Sequence, residues 1–456
     1  MTPRQLLRTL VALLAAALAA PARGGSPDSV PLSPEAAIAA QAVLASDDVG
    51  GGGWYNPASL AGVTRSSVQV GASAYAESAT VLHGVSQVSL PWGTMSGDIR
   101  SLRYASVPSV LSYSFRLSNG LGVSLGVWTP FHNYDGGSVV LSSTGSFPGA
   151  PALMTTFSQS YAYTERRDDT WYGAAIGWKP TERLRLGVML QGAYSTDVWT
   201  VDLNAVLNTT DTVYTGSHIT YSERGDQMVI GVRPTFGLQW DATETVRIAA
   251  LMRGPYYRLG GWGPIDKFLS YGIIMPPPAT GGSPVTRQGL TATETKPDRG
   301  VVQVEPVRLY GGLRWAKGDW TVSAEADWHP ALDGEFGQFR EGWNARIGAT
   351  KKWNPDLKIG FGIFSDSASE VGNATRSSMR YAGFSAGAIY RATDVVKASN
   401  GGKDWDLLGG IALRGDYGWG TYRGIYLTPY DPSISFPDIP ATVIEGSISF
   451  FTAIIF

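Results

Sequence analysis

The chain has 456 residues, with Gly 56, Tyr 21, Trp 15 and Phe 15 against only 16% charged residues, an unusual balance for a soluble enzyme. Its length fits two or three soluble domains or one large barrel. A formal net charge of −2 supplies no electrostatic reason for a nucleic-acid partner, and with no cysteine there is no thiol for a lipoprotein anchor or a disulfide framework.

The first element reads as a secretory signal over residues 1–22. Arg4 and Arg8 precede an apolar stretch from Leu10 to Ala20, and Ala20-Pro21-Ala22 is a small-residue cleavage site. The stretch is too short for a membrane-spanning helix, and no other segment approaches the roughly 20 apolar residues one needs. Residues 33–45 follow as an Ala-rich run with helical propensity, Ser33 as N-cap and Glu35 in the first turn. Ser46-Asp47-Asp48 and four glycines, Gly50 to Gly53, come next. We divide the chain into the signal, a segment 23–62 that either hangs free or fills a lumen, and a barrel 63–456.

From there one design repeats: an alternating strand, a tight turn and a second alternating strand. Leu111, Tyr113, Phe115 and Leu117 share a face and turn at Ser118-Asn119-Gly120 into Leu121, Val123, Leu125 and Val127. Tyr172 to Trp178 pairs with Leu184 to Leu190, Phe236 to Trp240 with Val246 to Met252, and Val307 to Trp315 with Trp320 to Trp328. Trp343 to Ala349 pairs with Leu357 to Ile363 across Asn354-Pro355-Asp356, and Phe384 to Tyr390 more loosely with Trp405 to Leu413. Such punctuation marks hairpins. In Trp320, Val322, Ala324, Ala326 and Trp328 one face is wholly apolar with a Trp at each end; the other carries Thr321, Ser323, Glu325 and Asp327. Nine residues cross a bilayer when tilted, and aromatics suit both interfaces.

Six hairpins give twelve strands. One before them (about 66–76) and one after (443–456) bring the count to about 14, an even number as single-chain bacterial barrels have. The links at 78–107, 130–169, 199–227, 259–304, 330–342, 366–380 and 418–442 read as long loops opposite short periplasmic turns. A soluble β-sandwich also alternates, but would carry more Lys and Glu where this chain has Gly, Ser and Thr. The terminal Phe456, on an apolar-alternating last strand, resembles the signal read by the outer-membrane barrel assembly machinery. The fold class is therefore all-β: a transmembrane antiparallel barrel of about 14 strands with an N-terminal hatch.

Trp54-Tyr55-Asn56-Pro57-Ala58-Ser59-Leu60-Ala61 after Asp47-Asp48 resembles the hatch of the FadL-type long-chain fatty acid transporters. Val107-Pro108-Ser109, the run Leu121 to Phe131 and the run Trp343 to Ser365 are also similar to family blocks, so the resemblance spans nearly the whole mature chain. The family's hatch usually opens with a Gly-patterned stretch, where this chain has Ala36 to Ala45. The resemblance implies uptake of hydrophobic small molecules, fatty acids or aromatic hydrocarbons. They are caught among the outer loops, held under the hatch and released sideways where the third strand kinks. It assigns the hatch motif to Asn56, Pro57 and Ala58. Gly122, Gly126 and Pro130 are candidates for a wall opening in strand three, because proline cannot donate to a ladder; the glycines equally suit a crowded lumen. Phe268, Leu269, Ile273 and Ile274, ahead of Pro276-Pro277-Pro278, suggest an outer apolar groove, a contact with lipopolysaccharide and outer-membrane lipid, or a loop packing on itself.

The competing functions are a diffusion porin for polar solutes and an outer-membrane lipid hydrolase. The hydrolase needs a nucleophile and a base, but His83, His132, His218 and His329 stand isolated and no Gly-x-Ser-x-Gly elbow occurs. No metal-ligand spacing and no cofactor motif appears, and the expectation is a protein that is not an enzyme.

Overall fold

The computed structural model describes residues 31–47, 51, 53–147, 150–210, 217–275, 285–295, 301–334, 337–368, 370–371, 376–396, 405–428 and 431–456. The expected signal, Asp48 and Pro276-Pro277-Pro278 lie outside them.

Fourteen antiparallel strands close into one barrel. They are β1 (Ser67–Leu90), β2 (Gly93–Ser118), β3 (Leu121–Phe147), β4 (Ala150–Trp178), β5 (Leu184–Thr209) and β6 (Ser217–Asp241). Next come β7 (Val246–Arg253, Tyr256–Trp262, Ile265–Met275) and β8 (Val285–Thr295, Val302–Glu305, Arg308–Lys317). The last six are β9 (Trp320–His329), β10 (Gly342–Lys352), β11 (Leu357–Ala368), β12 (Arg376–Val396), β13 (Trp405–Arg423) and β14 (Asp438–Ile455). β7 breaks at Gly254-Pro255 and Gly263-Pro264, and β8 breaks at Pro306, because a proline cannot donate to the ladder. β1 pairs with β14 from Ser67↔Ile455 to Leu82↔Ala441, which closes the wall. All six expected hairpins are present, as β2–β3, β4–β5, β6–β7, β8–β9, β10–β11 and β12–β13. At the β2–β3 turn Gly120 takes a φ of 71°, a conformation that suits glycine.

The outward face is apolar near the short turns: Tyr172, Leu190, Phe236, Trp240, Ile248, Trp320 and Trp405 are all exposed there. Trp320 sits at one rim, and Trp328 meets Trp343 at the other with ring centroids 5.9 Å apart. A barrel that is apolar outside and flanked by tryptophans is a transmembrane barrel of the outer-membrane type. Among the described residues no helix is long and apolar enough to cross a membrane; the strands cross it.

The links 78–107, 130–169 and 199–227 are mostly strand, which corrects the loop reading. β1 and β2 run on to a turn at Pro91-Trp92, β3 and β4 run on to Phe147 and Ala150, and β5 and β6 to Thr209 and Ser217. The reason is an inversion of the pattern along each strand. In β5, Leu186, Val188, Leu190 and Tyr194 point out while Arg185, Gly187 and Gln191 point in; farther on Trp199, Val201, Leu203, Ala205 and Leu207 are buried inside and Thr200, Asp202, Asn204 and Asn208 point out. β4 and β6 invert likewise: Phe157, Tyr161, Tyr163, Ile219 and Tyr221 are buried. The strand does not end; its outer face passes from lipid to water, where apolar side chains belong inside.

This outer extension has its own apolar core, in which Leu82, Val85, Ile99, Phe157, Leu203 and Ile439 pack together. A short hairpin, Ile425–Thr428 with Asp431–Ser435, folds over it and pairs in parallel with Ser86 to Val88, where β14 has already left β1. Ile425 and Leu427 are fully buried. A second core lies at membrane depth around residues 32–63.

Candidate functional site

Residues 31–47, 51 and 53–63 run inside the barrel. Ser33 caps a short helix, α1 (Pro34–Ile38), accepting from Ala36 N at 3.1 Å with Pro34 in the first turn. The Ala-rich run predicts helix as far as Ala45, but α1 stops at Ile38. Ala40 and Gln41 turn to φ 49° and 65°, and the wall captures the backbone donors: Ala40 N donates to Ser385 Oγ (2.8 Å) and Leu44 N to Glu325 Oε2 (3.1 Å). Glu325 in turn accepts from Arg346 Nη1 at 2.9 Å.

A 3₁₀ helix, Pro57–Gly62, follows, and its cap explains the motif chemically. Asn56 Oδ1 accepts from Ala58 N (3.0 Å), while Nδ2 donates to Leu44 O (3.0 Å) and to Leu238 O on the β6 wall (3.2 Å). Pro57 occupies the first helical position, where no donor is needed. Ala58 is fully buried. Gln239 Nε2 also donates to Leu44 O (3.0 Å) and Ser46 O (2.8 Å).

The wall beneath this helix is a row of glycines. Gly122, Gly177, Gly187 and Gly237 sit on β3, β4, β5 and β6 and are directly opposite one another in register. A Cβ at Gly177 would lie 2.8 Å from Ala61 N, and one at Gly187 would fall on the Pro57 and Ala58 backbone. Gly348, Gly360, Gly362 and Gly387 leave comparable room for Ile38 to Ala40. So Gly122 seats the inner segment. Gly126 instead lies under the Trp128 ring.

Above the 3₁₀ helix, Trp54 packs on Trp128 and Trp171 with centroids at 5.5 and 6.1 Å. Arg253 lies 4.9 Å over the Trp54 ring and donates to Trp54 O at 3.0 Å, and Arg233 lies 4.0 Å over Trp171. At the short-turn end Asp47 meets three arginines: Arg185, Arg247 at 2.6 Å and Arg314 at 3.4 Å. Asp241 holds Arg247 from the other side at 2.5 Å. Partial burial raises the Asp47 carboxyl, but Arg247 and Arg185 outweigh it and hold it below its ordinary value of 3.8.

The wall itself is incomplete. β2 pairs with β3 only from Ser118↔Leu121 to Val110↔Trp128. Past that point β2 stays paired with β1 and β3 with β4, and among the described residues no ladder joins β2 to β3. Pro130 lies in the irregularity between Trp128 and Phe131 where β3 parts from β2. This seam is closed by side chains instead. Ile99 lies over Gly137, with a Cβ–Cβ separation of 3.6 Å once Gly137 carries a Cβ. Val139 and Leu141 lie over Gly97 at 2.5 and 2.7 Å by the same construction. Trp92 covers Gly145 and donates from Nε1 to Ser143 Oγ at 3.2 Å. At the root of the seam Trp128 Nε1 donates to Gly51 O at 2.9 Å, tying the wall to the inner segment.

Phe268, Leu269, Ile273 and Ile274 lie on the last stretch of β7, not on a loop, and pair with β6 and β8. Strand alternation separates them: Ile273 is buried and Leu269 packs on the outer core, whereas Phe268 points out. Leu269 and Ile273 thus share the face toward the outer core, opposite Phe268. Sequence reasoning missed the glycine row, Trp128, Trp171, Arg253 and the Asp47 arginines. A signal for the row existed: the turn centred on Glu182 makes Gly177 and Gly187 partners.

No family model matches the chain, and no curated protein matches it. Among solved structures, a Pseudomonas aeruginosa FadL homologue is 11% identical over 94% of this chain and 99% of that one, with a TM-score of 0.57. The monoaromatic hydrocarbon channel CymD is 11% identical over 93% and 98%, with a TM-score of 0.48. The Ralstonia pickettii toluene transporter TbuX is 12% identical over 92% and 97%, with a TM-score of 0.44. In its fourteen strands, closed antiparallel order and full-length alignment, the chain has the fold of the FadL-type outer-membrane barrel.

Proposed function

We propose that the protein takes up hydrophobic small molecules, long-chain fatty acids or aromatic hydrocarbons, across the outer membrane. Residues 23–62 act as the hatch of the barrel 63–456, Asn56, Pro57 and Ala58 lock it in its seat, and substrate leaves sideways at the β2–β3 seam beside Pro130. The observation that carries this reading is the seam: a stretch of wall where, among the described residues, side chains such as Ile99, Val139, Leu141 and Trp92 stand in place of a ladder. A ligand that stays among such side chains avoids returning each CH₂ to water, at about 0.8 kcal/mol apiece. Val110 and Trp128, where the ladder stops, lie about as far from their turn as Trp328 lies from Trp320, so the seam starts near the outer interface. The dry core of the extension supports the same substrate class.

The fold shared with a FadL homologue favours transport over hydrolysis. A polar-solute porin needs an open wet lumen, and the packing of residues 32–47 and 53–63 against the inner wall argues against one. Outer-membrane lipid and lipopolysaccharide are the expected surroundings, and the assembly machinery the expected partner of the Phe456 end. The test is mass spectrometry of ligands co-purifying with the barrel, alongside uptake of labelled oleate and toluene by cells producing it. Retention of apolar ligands, lost on deleting residues 33–60, supports the reading. A barrel that retains none and conducts ions steadily overturns it in favour of the porin.

A further inference from the structure

At the short-turn rim the outer face of β8 to β11 steps from apolar to charged. Trp315, Val322, Ala349 and Phe361 stand opposite one another in register on these four strands and face outward, with Phe361 exposed. The next outward row toward the turns is Lys317, Trp320, Lys351 and Ile359, again directly opposite one another. Two residues of strand span about 7 Å, so wall that suits hydrocarbon gives way to lysine within the depth of one head-group layer.

These lysines are not neutralised by the protein. Lys351 Nζ lies 5.3 Å from the Trp320 ring centroid and 5.1 Å from that of Trp353, and Lys317 flanks Trp320 from the other strand. Neighbouring strands are about 4.8 Å apart, which sets the two lysine Cα atoms about 10 Å apart, within reach of one group held over Trp320. Among the described residues neither lysine forms an ion pair. Other lysines at this end do: Lys179 pairs with Glu182 at 2.5 Å and Lys358 with Glu35 at 3.1 Å. Asp319, in the turn between Lys317 and Trp320, pairs with neither of its neighbours' charges, and Lys352 borders the lumen side instead. Trp353 is 64% exposed beyond the rim. An aqueous surface gives that ring nothing to lie against, whereas a head-group layer accepts both the ring and the ammonium groups.

We propose that Lys317, Trp320, Lys351 and Trp353 form a site for an anionic phospholipid of the periplasmic leaflet. The phosphate accepts from both ammonium groups, the two indoles lie against the glycerol, and the acyl chains run along Val322 and Phe361. Lipopolysaccharide belongs to the opposite leaflet and is not the occupant. The site rests on the transmembrane barrel alone, not on the seam or on uptake. Native mass spectrometry of the full-length barrel in detergent, titrated with dioleoylphosphatidylglycerol, reads it. A saturable adduct is expected that excess inorganic phosphate does not displace. K317Q/K351Q weakens it roughly thirty-fold, while K317R/K351R and K179Q bind as the parent does; heat-modifiable migration checks that each variant folds. Dioleoylphosphatidylcholine, with the same phosphate and chains but no net charge, binds the parent and K317Q/K351Q alike. Equal binding of the two lipids by the parent, parent-like binding by K317Q/K351Q, or displacement by inorganic phosphate overturns the site.

Discussion

The seam can be locked by one engineered pair in its outer part. Replacing Ile99 and Gly137 by cysteine places two Cβ atoms about 3.6 Å apart, inside the roughly 3.5–4.5 Å span of native disulfides. The chain has no cysteine of its own, so only the engineered pair can form. The cross-link joins strands that share no ladder at this depth and closes a loop of roughly 40 residues, worth about 4 kcal/mol by loop entropy. It need not stabilise the fold by that much to act, because a covalent bond forbids parting of β2 from β3. If apolar ligands pass through the seam, uptake of labelled oleate by cells producing the oxidised variant falls at least ten-fold and returns on reduction. The reduced variant, and the single replacements, serve as controls for lost packing. Uptake that persists at the parent rate, with the disulfide verified by mass spectrometry, refutes the seam as the route.

Three further outcomes follow from the seat of the hatch. Gly187→Val drives side-chain atoms into the Pro57 and Ala58 backbone, which costs about 1–3 kcal/mol of seating; residues 31–63 become protease-sensitive while the barrel keeps its heat-modifiable migration. Asn56→Ala removes the cap and the donor to Leu44 and Leu238, a loss of about 2–3 kcal/mol, read as single-channel current through an unplugged lumen. The pair of Asp47 with its arginines has a defined pH sign. Because the folded carboxyl is held below 3.8, its contribution is complete above that value and is lost only as pH falls through the lower folded one. A spin label at Thr64 should therefore be equally immobile at pH 5 and 7 in the parent protein, loosen only in stronger acid, and be loose throughout in Asp47→Asn.

The hairpins were legible because each turn and its two flanking faces are contiguous, as at Ser118-Asn119-Gly120. Asn56-Pro57 was legible too, since a cap followed by a first-turn proline is local chemistry. What escaped was set by register between distant strands. Trp128 ends a ladder because beyond Val110 β2 keeps only β1 as its partner, and no property of residues 121–131 alone announces that. Asp47 gathers Arg185, Arg247 and Arg314 from three strands whose order must be known first. The outer halves of β4, β5 and β6 look like loops in the sequence because their apolar parity changes midway, and lipid-facing alternation ends at the change.

That change of parity has a thermodynamic consequence. Below it, the barrel wall is solvated by hydrocarbon and its stability is defined only in the company of lipid or detergent. Above it, Trp199, Leu203, Phe157 and Ile219 are sheltered from water as in any soluble domain, and their exposure carries the heat-capacity increment of aqueous unfolding. One continuous strand such as β5 thus belongs to two solvents. Denaturants and cold act on its far end by the rules for water-soluble proteins, while exchanging the detergent acts on its near end.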